Sequence, residues 1–241
     1  LYSKPKIKIP LKEIEEVFST ANILYENTIL KINDNVKVIA LPAGHLPGAL
    51  SYLFKINSTT LLYSGDISVN NLPLAGQITL ENYPIDLMIS ESNFTTTEET
   101  FETSIKKLID IIVQTLKVKG RVVLPIPSAG RAQEISTYFA YKIITKEIPY
   151  TTIYIDGSAK DVIKIYDTYY LRLRGYLRDI YVNARSSGII KLVNDSFRKE
   201  LIKSDTPYII LTTSANLRYG PILYYLQEIL LDERSSFCLL Y

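Results

Sequence analysis

Val123-Leu124-Pro125-Ile126-Pro127-Ser128-Ala129-Gly130-Arg131-Ala132-Gln133-Glu134 is the stretch that decides how this chain folds. A β-branched run from Arg121 to Ile126 reads as a buried strand. Pro127-Ser128-Ala129-Gly130 turns the backbone, and a helix opens at Arg131 and runs to Lys142. Upstream, Glu98 to Lys117 carries Ile105, Leu108, Ile109, Ile112, Val113 and Leu116 at helical spacing, and Gly120 stops it. Downstream the alternation continues. Strands are predicted at Thr152–Ile155, Ile180–Val182, Tyr208–Thr213 and Ser236–Tyr241, and helices at Ala159–Tyr170, Val193–Lys203 and Pro221–Leu231. Strand and helix in turn predict a parallel sheet with helices on its faces.

The first part of the chain has another character. Ile9 to Asn22 reads as a short polar helix or an extended linker. Ile29–Ile32 and Val36–Ala40 look like strands around an Asn-Asp-Asn turn, and Leu50–Ile56 and Thr59–Tyr63 like a hairpin across Asn57-Ser58. Ile85 to Ser90 reads as a buried strand ending at Glu91. Two domains are expected, 1–94 strand-rich and 95–241 alternating, with the boundary near Thr95.

Composition bounds the function classes. Hydrophobic residues make up 47% of the 241 and charged residues 22%, ordinary for a soluble globular protein. Lys+Arg 27 against Asp+Glu 25 gives +2, so any nucleic-acid surface must be local. Cys238 is the single cysteine, which fits a reducing, cytoplasmic setting. The apolar runs are too short to span a bilayer, and no membrane partner is expected. The chain opens on Leu1-Tyr2-Ser3-Lys4 and ends on Phe237-Cys238-Leu239-Leu240-Tyr241, which suggests a piece of a longer polypeptide.

One imidazole stands out. His45 is the only histidine, in Leu41-Pro42-Ala43-Gly44-His45-Leu46-Pro47-Gly48, where a strand ends. Asp66 follows the next strand in Ser64-Gly65-Asp66. An imidazole and a carboxylate at neighbouring strand tips are the donors that hydrolytic Zn²⁺ prefers, although a lone histidine or Gly-Asp also serves structural turns. Glu91 leaves a strand in Ser90-Glu91-Ser92-Asn93-Phe94; it suits a site edge and equally an acid capping the next helix. The turn at Ser128, Gly130 and Arg131, and that at Thr213, Ser214 and Gly220, sit where strands give way to helices. Backbone N–H groups and helix dipoles favour an anion there, and open α/β sheets bind ligands at those strand ends. Arg131 offers a forked guanidinium for a phosphate, or a partner for a salt bridge. Lys160 to Lys203 holds ten basic residues against five acidic ones, with five tyrosines among them; it reads as a solvated helix face or as a surface on which bases stack.

Taken together these segments resemble the β-CASP nucleases of the metallo-β-lactamase fold. Ala43-Gly44-His45-Leu46-Pro47-Gly48-Ala49, Tyr63-Ser64-Gly65-Asp66 and Glu91-Ser92-Asn93-Phe94 are similar to that family's successive metal-site segments. Gly130-Arg131-Ala132-Gln133-Glu134, Tyr154-Ile155-Asp156-Gly157-Ser158-Ala159 and Thr212-Thr213-Ser214 through Gly220-Pro221 are similar to its later ones. The resemblance implies an α/β protein: part of a metallo-β-lactamase αββα sandwich carrying an inserted Rossmann-like β-CASP domain with a parallel sheet. It implies a zinc-dependent ribonuclease, active on single-stranded RNA in mRNA 3′-end processing or RNA decay. His45 and Asp66 would be metal ligands, Asp66 bridging two Zn²⁺. Glu91 and Asp66 would be catalytic, and Ser128, Gly130, Arg131, Thr213, Ser214 and Gly220 would hold RNA phosphates. Homodimers and larger RNA-processing complexes both fit.

The chain lacks the family's His-x-His-x-Asp-His segment and its late histidines, so this portion alone is expected to be inactive. Asn93-Phe94 and Ala215-Asn216-Leu217 also depart from the pattern. Two other readings are a degenerate relative kept for RNA binding or assembly, and a lactamase-fold hydrolase of a small substrate. Gly130-Arg131 in an alternating half speaks against the latter.

Overall fold

The computed structural model describes residues 9–80, 83–93 and 100–239. The expected boundary near Thr95, Phe94, and the two chain ends lie outside them. The first sheet contains β1 (Ile29–Lys31), β2 (Val36–Pro42), β3 (Leu50–Ile56), β4 (Thr59–Tyr63) and β5 (Leu87–Ile89), in that order. Neighbours are antiparallel through β4, and β5 runs parallel to β4. The β3–β4 hairpin closes on Asn57 at φ 52, a left-handed position that asparagine tolerates. Ile39, Leu41, Leu53 and Leu62 form its small core. The strand at Leu87–Ile89 was expected to be buried, but all three residues are exposed, because β5 is an edge strand of this sheet. The N-terminal ambiguity resolves as a helix, α1 (Leu11–Thr20), with no buried residue.

The second sheet is wholly parallel. Its strands are β6 (Val122–Pro125), β7 (Ile153–Asp156), β8 (Ile190–Leu192), β9 (Ile209–Thr212) and β10 (Ser236–Phe237), in the order β10-β6-β9-β7-β8. Helices α2 (Phe101–Lys117), α3 (Arg131–Ile144), α4 (Ala159–Thr168), α5 (Arg178–Ser186), α6 (Asp195–Leu201) and α7 (Ile222–Ile229) flank it. Strand periodicity assigns the faces. Val122, Leu124, Ile153, Ile155, Ile209 and Leu211 share one core with α2 to α5. Val123 and Ile210 pack on the other face with Leu201 of α6 and Ile222, Tyr225 and Ile229 of α7. Both faces are therefore covered, as a parallel sheet requires.

One predicted strand is a helix. Ile180–Val182 lies inside α5, since Leu177, Tyr181 and Ala184 fall at i, i+4 and i+7 and enter the core together. The Tyr181 hydroxyl donates to Asp167 Oδ1 at 2.6 Å. The strand comes later, at β8, after Gly188. The tyrosines of 160–203 consequently do not form one row. Tyr166 and Tyr181 are buried against each other at 6.3 Å, while Tyr169, Tyr170 and Tyr176 are exposed.

A loop of the first half plugs into the second. Leu74, fully buried, belongs to the core of the parallel sheet. Its N–H donates to Glu134 Oε2 at 2.6 Å, and the Ala75 N–H to Glu134 Oε1 at 2.9 Å. The Arg174 and Gly175 N–H groups donate to the Leu74 carbonyl, and Leu177 N–H to that of Pro73. This loop, between Asp66 and β5, fixes the tips of the first sheet against the strand ends of the second.

Candidate functional site

β2 delivers its last residues into a tight reversal in which Ala43 N–H bonds to the Ala49 carbonyl. Gly44 must be glycine here: φ is 73, and a Cβ would stand 2.5 Å from the Gln77 backbone. The reversal presents His45. Asp66 comes off β4, whose end is held by Ser64 N–H on the Ile89 carbonyl and by Ser51 Oγ on the Ser64 carbonyl. The two side chains meet, with His45 Nε2 3.9 Å from Asp66 Oδ2. That is too long for a hydrogen bond. It lies within the span of two atoms sharing one ion, since donors about 2.0–2.2 Å from a centre are at most about 4.4 Å apart. Both side chains are open to solvent, 46% and 71% exposed.

Glu91 joins them from the end of β5. Its Oε1 accepts the Ile67 N–H at 2.7 Å and its Oε2 accepts Asn93 Nδ2 at 3.1 Å. Glu91 thus braces the turn that carries Asp66, and the helix-cap alternative is not what it does. The imidazole and the two carboxylates expected at one site are gathered in one corner. In kind, His45 and Asp66 suit a divalent cation. In number they fall short: among the described residues no group of three His, Cys, Asp or Glu side chains is placed to hold an ion.

The expected anion loops gather at the carboxyl ends of β6, β7 and β9. Ser128 Oγ and Ser158 Oγ are 2.5 Å apart. Ser158 N–H donates to Thr213 Oγ1 at 3.2 Å, and Ser158 Oγ lies 3.4 Å from the same oxygen. Gly130 and Ser158 immediately precede α3 and α4, and neither caps its helix with a side chain, so two positive helix ends face this hydroxyl cluster. Beneath it, Gln133 Nε2 donates to the Ser128 carbonyl at 3.1 Å, and Gln133 Oε1 is buried without a partner among the described residues. Arg131 is exposed and makes no ion pair among the described residues. Two expected members serve the loop itself. Ser214 Oγ is turned onto Asn216 Oδ1 and the Tyr219 carbonyl, and Gly220 lies against the Thr213 backbone. Ser158 is the residue the expected site omitted. Its signal was the Ser-x-Ala turn after β7, built like the turn after β6.

The two clusters touch. Gly130 adopts φ 78, and a Cβ there would stand 2.5 Å from Leu46 Cδ2. The residue after His45 therefore rests directly on the loop that opens α3. Close behind, Asp156 is fully buried on Arg198 Nε and Nη2, Gly157 N–H and the Tyr225 hydroxyl. These donors hold its carboxyl below the usual range despite burial. Lys160 is also drawn in, onto the Val193 carbonyl at 2.6 Å, so it is not a surface cation for a ligand. Glu134 differs: burial lifts its pKa to about 7 against the two N–H donors that favour the anion.

Residues 132–240 match the Beta-Casp domain family. The chain is 29% identical to the RNase J-like protein of Methanocaldococcus jannaschii over 87% of this chain and 49% of that protein. It is 25% identical to the transcription termination factor FttA of Cenarchaeum symbiosum, over 90% of this chain and 35% of the relative. The FttA of Thermococcus kodakarensis is 27% identical over 93% of this chain and 36% of its own length. The chain thus spans a third to a half of these relatives. No helix among the described residues is long and apolar enough to cross a membrane.

Proposed function

We propose that this chain, whose residues 132–240 match the Beta-Casp domain family, is a β-CASP member of the metallo-β-lactamase fold and part of a metal-dependent ribonuclease acting on single-stranded RNA. In this reading residues 1–94 are part of the metallo-β-lactamase domain and 95–241 the β-CASP domain. The observation that carries it is the contact of Leu46 with Gly130. It puts the reversal that carries His45 beside a cluster of hydroxyls at two helix N-termini. The names of the relatives, RNase J-like protein and transcription termination factor, support RNA as the substrate class.

The chain's own residues divide the work. His45 and Asp66 would hold one side of a metal site, with zinc the expected ion and two ions expected in the full protein. A bound ion would supply Lewis-acid activation of the phosphodiester. Glu91 holds the Asp66 turn through Ile67 N–H. Ser128, Ser158 and Thr213, with the N-termini of α3 and α4, would orient a phosphate, and Arg131 would add a charge-assisted contact from solvent.

The test uses the full-length protein: metal content by elemental analysis, and cleavage of end-labelled single-stranded RNA by wild type and Asp66→Ala. Bound zinc with cleavage that Asp66→Ala abolishes while RNA is still retained is the expected result. RNA binding without metal or cleavage would instead favour a non-catalytic RNA-binding subunit.

A further inference from the structure

Between the two halves lies a cavity of about 430 Å³ that the cleavage chemistry does not use. Asn70, Asn71 and Gln77 line it from the first half, and Glu102 and Tyr176 from the second. Its walls continue the metal corner. Val69, also at its edge, is three residues past Asp66, a reach of at most about 11 Å. The Gln77 backbone is the surface on which Gly44, before His45, is packed. The wall is held in place: Ile78 N–H bonds to the Ser68 carbonyl, and Ser68 N–H to the Ala43 carbonyl.

The lining has a distinct chemistry. Three carboxamides present both donors and acceptors, and among the described residues no lysine or arginine lines the cavity. Among the described residues that line it, the one charge is the Glu102 carboxylate, whose Oε1 accepts the Tyr176 hydroxyl at 2.5 Å. Burial and this carboxylate push the Tyr176 phenol up, so the phenol keeps the proton that it donates. A carboxylate with no described cation paired to it repels phosphate. It suits a neutral, planar group bearing N–H donors on its edge. In single-stranded RNA that group is the base.

Resting on the ribonuclease reading above, we infer that this cavity takes an unpaired nucleobase of the substrate and prefers guanine. Guanine alone offers two adjacent donors, N1–H and the N2 amino group, to the two oxygens of one carboxylate. The carboxamides of Asn70, Asn71 and Gln77 meet its remaining edge. The phosphates stay outside, on the hydroxyl cradle and Arg131.

The experiment compares binding of fluorescent single strands to the full-length protein, in chelator so that RNA stays intact. The probes are alternating U-G, the same strand with inosine for guanosine, and alternating U-A. Inosine lacks only the N2 amino group. Wild type is expected to prefer U-G over the inosine strand by about tenfold, the size of one good base contact. Glu102→Gln is expected to bring that ratio below about twofold, with affinity for U-A unchanged. Tyr176→Phe, which keeps the shape and frees Glu102 Oε1, is expected to retain the preference for guanosine. Equal binding of guanosine and inosine strands by wild type, or a ratio that survives in Glu102→Gln, would overturn the inference while leaving RNA cleavage intact. If the protein neither binds nor cuts any of the strands, the inference and the ribonuclease reading fall together.

Discussion

The sheet β1–β5 and the sheet β10-β6-β9-β7-β8 each have five strands, yet they bury them differently. In the parallel sheet the facing residues of β6, β7 and β9 are almost all inaccessible, with cores on both sides. In the first sheet the buried cluster among the described residues is four residues, Ile39, Leu41, Leu53 and Leu62, and both edge strands, β1 and β5, are exposed throughout. The candidate metal donors sit on the thinly supported sheet, and the anion cradle on the well-packed one. The first depends on the second through the Leu74 plug, the Glu134 clasp and the Leu46–Gly130 contact. Rigidity at His45 and Asp66 is thus partly borrowed across the junction.

Matched truncations should break this contrast most visibly. Leu124→Ala and Leu53→Ala remove the same atoms from fully buried positions. Leu124→Ala is expected near the top of the usual range of about 2–5 kcal/mol, because its surroundings cannot collapse, and Leu53→Ala near the bottom. Denaturant melts of both variants decide it; equal losses would mean that the two cores are equally close-packed.

The clasp comes next. Glu134 ionises at about 7 when folded, against 4.5 for the free side chain. The unfolded chain therefore loses its proton first. The stability this group contributes is complete below pH 4.5 and is lost as pH rises through 7. Between pH 5 and 8 the loss is about 2–3 kcal/mol. Thermal melts of Glu134→Gln across that range should show a flatter profile than wild type.

Gly130→Ala meets both a positive φ and Leu46, and should cost about 1–3 kcal/mol. Pairing it with Leu46→Ala should recover the steric part but not the backbone part, as a double-mutant cycle would show. The smallest effect is expected from Arg131→Ala. It should weaken single-stranded RNA binding and reduce its salt slope by about one, read from titrations at several salt concentrations.

Much of the parallel half was legible because its strands are short apolar runs, each followed by a turn and a helical period. Arg121 to Glu134 needed no tertiary information. The failures have physical causes. Ile180-Tyr181-Val182 looks like a strand by residue type, but spacing across Leu177, Tyr181 and Ala184 governs burial. Leu87-Met88-Ile89 looks buried by composition, and only the strand order shows it at an edge. At the site, His45 and Asp66 were visible as a rare residue and a Gly-Asp turn. That Ser214 faces its own loop while Ser158 completes the cradle depends on rotamers and on strands that meet only in the fold. The bracing of Asp66 by Glu91 likewise runs through a backbone amide, to which sequence patterns are blind.

Leu46 carries one last implication. It separates the imidazole by a single peptide from the surface that opens α3, and it fills the space that a side chain at Gly130 would need. A substitution at Leu46 is therefore felt by both loops at once, although the candidate chemistry belongs only to its neighbours.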